Sequence, residues 1–247
     1  MTKNSEISRR GLLGAGATIA ATAAVGGTSQ AQSMNSLPAG IRGANVSLIA
    51  SAMGKSGMDA SKYAMSPDIK PLVEHGETII GPAITCKWEI GKLDDVEDIN
   101  KYVYDPLGQA PAGSVWVIES GTEEIFSMFG DIITQSCKQR GMLGAVTDNG
   151  CRDIVEMKKQ GFAVFAKTTI PYGPKGLKPT GANVPITCGG VDINPGDLIA
   201  ADIDGVIVIP KDKIDELAEG VAKHLAFEKE VRIKVDAGET LRNAYPY

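Results

Sequence analysis

The stretch GAVTDNGCRDIVEMKKQGFAVFAK, residues 144–167, decides the fold. It begins with an apolar run that ends at Asp148, passes through a glycine-containing turn to the pair Arg152-Asp153, and continues as a short helix and a second apolar run. A buried strand that stops at a turn brings polar side chains out at one edge of a sheet, which is a common place for a small-molecule site. Arg152 offers a planar fork for a carboxylate or an enolate, and Asp153 offers a hard oxygen ligand for a divalent metal.

Upstream, an acidic residue stands at a fixed distance from this pair. Twenty residues separate Asp131 from Arg152, and Asp131 follows Gly130 at the start of a helical pattern that ends at Arg140. If the helix begins near Gly130, its free N–H groups form an anion site suited to a substrate carboxylate. The alternative is that Gly130 serves only for packing.

Hydrophobic periodicity and turn residues predict the remaining elements. We expect a helix over 44–53, strands over 78–88 and 114–119, an acidic helix over 93–104 ended by Asp105-Pro106, a helix from 130 to 140 with Ile132, Ile133 and Cys137 on one face, a long Gly/Pro/Lys-rich loop over 168–183, four short strands between 185 and 209, and an amphipathic helix over 213–236. Asp197, Asp202 and Asp204 are expected to form turns and caps.

The N-terminus predicts an export signal rather than part of the fold. The twin-arginine pattern SRRGLL at residues 8–13 precedes an apolar, Ala/Gly-rich run and a small-residue cleavage site near Ala31. The run is short and too rich in Gly, Ala and Thr for a stable membrane span. We therefore predict a signal over residues 1–31, a linker over 32–43, one domain over 44–247, a periplasmic or exported protein, and no membrane attachment after cleavage.

The composition and the cysteine spacing argue against two kinds of binding partner. The net charge of −5 and the absence of a long basic run argue against nucleic acid. Cys86, Cys137, Cys151 and Cys188 are widely separated and form no C-x-x-C pattern, which argues against structural zinc. Free core cysteines are the favoured interpretation, although an oxidising compartment would permit a disulfide whose pairing the sequence does not give.

The candidate residues suit chemistry on an enolate. An enolate formed by carbon–carbon cleavage is stabilised either by a lysine Schiff base or by a divalent cation. Lys167 is the best lysine candidate, and Cys151, beside Arg152, is the best thiol nucleophile. The oxygen-rich set of Asp131, Arg152 and Asp153 favours the metal route.

Three pieces of text together resemble a known family. They are the D-x20-R-D arrangement, the GPAIT element at residues 81–85, and NPGDLIAADIDGVIVIP at residues 194–210. This combination resembles the RraA-like family, whose members include metal-dependent aldolases acting on 4-hydroxy-4-methyl-2-oxoglutarate or 4-carboxy-4-hydroxy-2-oxoadipate. Ser51 and Asn149 depart from the family pattern, which often has Asp and Gly at these places.

The resemblance implies a fold and a reaction. The fold would be an α/β, αββα layered sandwich of one domain with a C-terminal helix, assembled as a homotrimer or homohexamer with sites between subunits. The function would be a divalent-metal-dependent lyase that cleaves a 4-hydroxy-2-oxo dicarboxylic acid to pyruvate and an oxo acid, with oxaloacetate decarboxylation as a side activity. The alternative is a non-catalytic RraA-type regulator that binds a ribonuclease or another protein.

The resemblance also implies roles for individual residues. Asp153 would ligate Mg²⁺ or Mn²⁺ directly, while Asp131 would act through a water and help to move a proton. Arg152 would bind the enolate oxygen. The backbone amides that follow Gly130 and Asp131, at Ile132 and Ile133, would hold the pyruvyl carboxylate. Glu228 of a neighbouring subunit, with Glu230 as the alternative, would reach the metal through water.

Overall fold

The computed structural model describes residues 37–245. The predicted export signal lies outside the described residues, as does the first part of the predicted linker. The helices are α1 (Val46–Lys55), α2 (Glu97–Ile99), α3 (Asp105–Gln109), α4 (Asp131–Gln139), α5 (Ile154–Gln160), α6 (Ile214–Asp236) and α7 (Leu241–Ala244); a π-helical turn (Asn100–Tyr104) joins α2 to α3, and 3-10 turns lie at Ala60–Lys62 and Lys211–Lys213.

Twelve strands are found among residues 37–245. They are β1 (Lys70–Val73), β2 (Ile79–Ile90), β3 (Val115–Glu119), β4 (Gly144–Thr147), β5 (Gly150–Cys151), β6 (Ala163–Ala166), β7 (Thr168–Thr169), β8 (Leu177–Ala182), β9 (Ile186–Cys188), β10 (Val191–Ile193), β11 (Leu198–Asp202) and β12 (Gly205–Ile209).

Eight strands form one mixed sheet in the order β1-β6-β4-β3-β2-β11-β12, with β8 also paired to β2. The pairs β2–β3, β3–β4 and β4–β6 are parallel, and the remaining pairs of this sheet are antiparallel. The carboxyl ends of these four parallel strands therefore lie at one edge, where a turn can present functional side chains.

Side chains alternate across the sheet and separate three cores. Along β3, Trp116 and Ile118 belong to one cluster, which includes Cys137 of α4 and Met157 of α5. The second cluster lies between the two halves of the sheet. It contains Val117 of β3 together with residues of β11 and β12. The third cluster joins the outer face of β11 and β12 to α1 and α6. Helix, sheet, sheet and helix thus follow one another, which confirms the predicted αββα layering.

The strand–turn–helix–strand unit is present as predicted. β4 ends at Thr147, α5 begins at Ile154, and β6 runs parallel to β4 after the helix. Gly161 ends α5 in a left-handed conformation with φ 63°, which allows the chain to leave the helix at once.

The acidic helix does not end at Asp105-Pro106 as predicted. The chain passes from α2 through the π-helical turn into α3, and Pro106 lies in the first turn of α3. A proline is tolerated in the first turn of a helix, because backbone N–H groups there have no acceptor within the helix and proline loses no hydrogen bond. The continuous segment carries Tyr104 and Leu107 to the edge of a cleft.

The predicted long loop over residues 168–183 contains strands β7 and β8, so that prediction was wrong. β8 pairs antiparallel with β2, and the register shifts between Lys87 and Trp88, opposite Pro179. A bulge accommodates a proline that cannot donate a ladder hydrogen bond. The Gly/Pro-rich composition therefore concealed a strand whose partner lies far away in sequence.

The three acids of the final strand pair stabilise turns, as predicted. Buried Asp197 accepts hydrogen bonds from the backbone N–H groups of Asn194 and Lys211. Asp202 accepts from the N–H of Val46 at the start of α1, and Asp204 accepts from the Ser47 hydroxyl. These carboxylates fix α1 to the β11–β12 turn.

All four cysteines are buried and free, which is the state that their wide spacing in the sequence favoured.

No helix within residues 37–245 is long and apolar enough to cross a membrane.

Candidate functional site

The turn after β4 opens into a cleft of about 560 Å³. Gly130 and Asp131 come from the start of α4, and Arg152 and Asp153 come from the start of α5. Both helices begin at the same end of the sheet because each follows a parallel strand. The structure therefore brings the D-x20-R-D residues together in one place.

Asp153 occupies a left-handed backbone conformation, with φ 62° and ψ 33°. Aspartate tolerates this region better than most residues, although an ordinary side chain held there still costs on the order of 1 kcal/mol. Its Oδ2 lies 3.4 Å from the N of Asp131 and 3.5 Å from Nε of Arg152. Both side chains of the Arg152–Asp153 pair are substantially exposed, so the pair contributes under about 1 kcal/mol to stability.

The Asp153 carboxylate lies where a side chain at position 130 would begin. A Cβ added to Gly130 would lie 2.3 Å from Oδ2 of Asp153 and 3.3 Å from Nε of Arg152. The backbone of Gly130 is extended, so its own φ does not demand glycine. The missing side chain leaves room for the Asp153 carboxylate beside the first turn of α4.

The first turn of α4 presents backbone donors to the cleft. The N–H groups of Ile132 and Ile133 have no carbonyl acceptor one turn earlier in the helix, as at any helix start. Gln160 of α5 donates to the carbonyl of Asp131, and the Thr134 hydroxyl contacts both. These bonds couple the starts of α4 and α5.

Ile132 does not share a face of α4 with Cys137, although helical spacing predicted that it would. It is 79% exposed at the rim of the cleft, whereas Thr134 and Cys137 are buried. Helical spacing placed Ile132 next to the core residues, but the sheet covers only the side of α4 that carries Thr134 and Cys137. Ile133 is partly buried and also lines the cleft.

Asn149 is a structural residue that the sequence reasoning noted only as a departure. Its buried amide accepts from the N–H of Phe126 at 2.7 Å and donates to the carbonyl of Glu124 at 2.9 Å. The N–H of Arg152 in turn donates to the carbonyl of Phe129. The chain preceding α4 is thereby fastened to the turn preceding α5. A buried Asn in a turn between two apolar runs was the available signal.

Cys151 lies next to Arg152 but is fully buried. Burial raises the pKa of its thiol to about 12, so the thiol is protonated at neutral pH. The structure therefore argues against Cys151 as a nucleophile.

Lys167, the lysine candidate, follows β6 and lies near Asp148. Burial raises the pKa of the Asp148 carboxyl, in spite of the hydrogen bond that it accepts from the N–H of Ser120. Neither Lys167 nor Asp148 lines the cleft.

The predicted Glu228 and Glu230 do not line the cleft of their own chain. Glu228 lies on α6, where Arg232 contacts one carboxylate oxygen at 3.1 Å and buried His224 contacts the other at 3.4 Å. Nδ1 of His224 lies 2.8 Å from Nζ of Lys55, which connects this cluster to α1. A role for either glutamate in a neighbouring subunit's site stays a prediction.

The donor set of the cleft suits a hard cation that binds together with its substrate. In the described part of the chain, no group of three or more His, Cys, Asp or Glu side chains is arranged to hold a metal. Asp131 and Asp153 nevertheless bring two carboxylates to the cleft. Mg²⁺ commonly binds through one or two carboxylates and completes its sphere with water and substrate oxygens. The residues therefore fit Mg²⁺ or Mn²⁺ and not a structural metal.

Comparison with known proteins identifies the family. The family described as RraA-like, Aldolase/RraA, matches residues 46–208. The chain belongs to the RraA-like family. The match begins at α1, and it includes Asp131, Arg152 and Asp153 of the cleft.

One RraA-like relative carries the name of an activity. A protein of Halalkalibacterium halodurans, named "Putative 4-hydroxy-4-methyl-2-oxoglutarate aldolase", is 35% identical over 162 residues, which cover 66% of this chain and 73% of the relative.

Two solved structures confirm the fold. RraAS2 of Streptomyces coelicolor, described as an unusual member of the RNase ES inhibitor RraA protein family, has a TM-score of 0.69 at 24% identity, covering 80% of this chain and 97% of that one. An uncharacterized protein of Pseudomonas syringae has a TM-score of 0.68 at 22% identity, covering 88% and 96%. At these identities the likeness concerns the fold alone.

Proposed function

We propose that this protein is a divalent-metal-dependent lyase that cleaves a 4-hydroxy-2-oxo acid to pyruvate and a second oxo compound. The observation that carries the proposal is that Asp131, at the start of α4, and Arg152 and Asp153, at the start of α5, line one cleft. The name of the H. halodurans relative supports an aldol reaction. Decarboxylation of oxaloacetate is proposed as a side activity because it passes through the same pyruvate enolate.

The substrate's pyruvyl half is proposed to bind across the two helix starts. Its carboxylate would accept hydrogen bonds from the backbone amides of Ile132 and Ile133, where the helix dipole also favours an anion. The Arg152 guanidinium would face the 2-oxo oxygen. A fixed cation aimed at a developing negative charge contributes several kcal/mol to transition-state stabilisation.

Asp153 would hold the metal, Mg²⁺ or Mn²⁺, directly, and Asp131 would hold it through a water. The bound metal supplies a positive charge that stabilises the enolate. Glu228 of a neighbouring subunit, or Glu230, is proposed to complete the set through water. Asp131 is also the proposed proton carrier. It would take the proton of the 4-hydroxyl group as the C3–C4 bond breaks, and return a proton to C3 of the enolate to give pyruvate.

The test is pyruvate release from oxaloacetate and from 4-hydroxy-4-methyl-2-oxoglutarate, coupled to lactate dehydrogenase, with Mg²⁺ and with EDTA. Asp153→Asn keeps a residue that tolerates the left-handed conformation and removes the charge. We expect Asp153→Asn and Arg152→Gln each to lower kcat/KM by about 100-fold or more.

Glu156→Gln provides the matched control. Glu156 is an exposed acid on α5, paired with Lys159, and it does not line the cleft. Its kcat/KM should stay near that of the wild type. A folded wild-type protein that releases no pyruvate from either substrate, or whose turnover survives both EDTA and Asp153→Asn, contradicts the proposal and directs attention to a protein-binding role.

A further inference from the structure

Gln160 of α5 contacts the first turn of α4 from outside the cleft. Its Nε2 donates to the backbone carbonyl of Asp131 at 3.0 Å. Its Oε1 lies 2.9 Å from the Thr134 hydroxyl, which is itself 3.0 Å from the same carbonyl. Thr134 is fully buried, Gln160 is half-buried, and neither residue lines the cleft. These three groups therefore form a network within one chain that a ligand in the cleft leaves in place.

The orientation of the Gln160 amide is set by its two partners. A side-chain amide donates only through its nitrogen and accepts only through its oxygen. In the structure Nε2 meets a carbonyl oxygen and Oε1 meets a hydroxyl. Turning the amide over would set Oε1 against the Asp131 carbonyl oxygen, with no proton between the two acceptors. Lys138 of α4 also donates to the backbone carbonyl of Gln160, which holds this residue against α4.

The hydrogen bond from Gln160 acts on a peptide group that faces the cleft on its other side. The carbonyl of Asp131 and the N–H of Ile132 belong to one planar unit, so a bond that fixes the direction of the carbonyl also fixes the direction of the N–H. A hydrogen bond accepted by the carbonyl polarises the peptide and strengthens its N–H as a donor. The N–H of Ile132 is one of the two amides to which the proposed function assigns the substrate's pyruvyl carboxylate.

From this arrangement we infer that Gln160 is a positioning residue for carboxylate recognition, which aims the N–H of Ile132 through the carbonyl of Asp131. The inference rests on the proposed function and deepens it, because the resemblance to the family assigned no role to Gln160. The pyruvyl carboxylate is unchanged by the reaction, so its hydrogen bonds stabilise the bound substrate and the transition state equally. Binding of this uniform kind sets KM and leaves kcat nearly unaffected.

Gln160→Met tests the inference in the full purified protein. Methionine has a similar length but no amide, and the Thr134 hydroxyl can still donate to the Asp131 carbonyl, so no buried donor is left unpaired. We measure the disappearance of oxaloacetate with Mg²⁺, and its inhibition by pyruvate. The KM for oxaloacetate and the inhibition constant of pyruvate should each rise by about tenfold, the scale of one hydrogen bond to a charged group. The kcat should fall by less than about threefold.

Gln139→Met is the matched control. Gln139 is exposed at the last residue of α4 and does not line the cleft. Its substitution should leave KM, kcat and the inhibition constant of pyruvate at their wild-type values.

Thr134→Val is a second variant, which keeps the inference testable if Gln160→Met does not fold. It removes the hydroxyl that holds Oε1 of Gln160 and leaves the amide in place. The KM and the inhibition constant of pyruvate should rise together by about threefold, less than in Gln160→Met because the donor is still present.

Two outcomes overturn the inference. One is an unchanged KM and inhibition constant in the variants of Gln160 and Thr134. The other is a loss confined to kcat or to the urea unfolding midpoint, which would assign Gln160 a purely structural role. In both cases metal-dependent decarboxylation by the wild type leaves the proposed enolate chemistry standing. A folded wild type that releases no pyruvate from any substrate would instead remove the proposed function, and this inference with it.

Discussion

At the scale of the residue, the site depends on how Asp153 and Gly130 fit together. Asp153 is held in a left-handed conformation, and its Oδ2 occupies the space that a side chain at position 130 would fill. Asp153 therefore combines an unfavourable backbone conformation with a carboxylate that lines the cleft. Such outliers concentrate at functional sites, where the surrounding structure maintains them.

Gly130→Ala should separate activity from stability. The new Cβ would displace the Asp153 carboxylate, and a displacement of about 1 Å can cost 100-fold in rate. The extended backbone of Gly130 accepts alanine, so we expect kcat/KM to fall by about 100-fold with little change in the urea unfolding midpoint.

Gly54→Ala is the control for this substitution. Gly54 lies in α1, and a Cβ there meets no heavy atom within 4 Å. It should retain full activity and gain about 0.5–1 kcal/mol of stability, because glycine is a poorer helix former than alanine. Equal activity in the two variants would show that Gly130 serves only for packing.

At the scale of the element, the cleft is a product of two strand–helix connections held side by side. α4 and α5 begin at the same edge of the parallel strands, and Asn149 fastens the chain before α4 to the turn before α5. The relative position of Asp131 and Asp153 therefore depends on hydrogen bonds made outside the cleft.

Asn149→Ala should destabilise this connection. The variant leaves the N–H of buried Phe126 without its side-chain acceptor, and an unpaired buried donor costs about 1–3 kcal/mol. It also removes the side-chain donor to the carbonyl of Glu124. We expect a lower urea midpoint and a raised KM. Asn243→Ala, at an exposed position in α7, is the control and should change the free energy of unfolding by less than about 0.5 kcal/mol. An unchanged midpoint in Asn149→Ala would contradict the assigned role.

At the scale of the whole molecule, two helical layers enclose a folded sheet, and α6 projects beyond the third core. Leu225, Ile233 and Val235 of α6 are 53%, 61% and 43% exposed. Exposed apolar side chains along one helix favour association with another copy, and homo-oligomers of closed symmetry are the usual result. This agrees with the proposal that Glu228 or Glu230 acts in a neighbouring subunit.

Light scattering should give three or six times the mass of the chain. Ile233→Glu places a charge on the exposed side of α6 and should shift the protein towards the monomer, with a parallel loss of pyruvate release. Ile90→Glu, at another exposed position at the end of β2, is the control and should leave the mass unchanged. A wild-type monomer with full activity would exclude the shared site.

The sequence by itself determined the strand–turn–helix–strand unit, through local periodicity and turn residues. The resemblance of its motifs to the RraA-like family implied the αββα fold and the common site of Asp131, Arg152 and Asp153. Tertiary structure alone decided that residues 177–182 form a strand, that α3 continues beyond Pro106, and that Ile132 faces the cleft. Each of these depends on a partner distant in sequence. The partner is β2 for the strand, β8 for the helical segment that leads into α3, and the sheet for α4, which it covers on only one side. The local sequence pattern does not specify these partners. The same apolar or Gly/Pro-rich segment can form a strand, a helix or a loop, and its packing against the rest of the chain decides which.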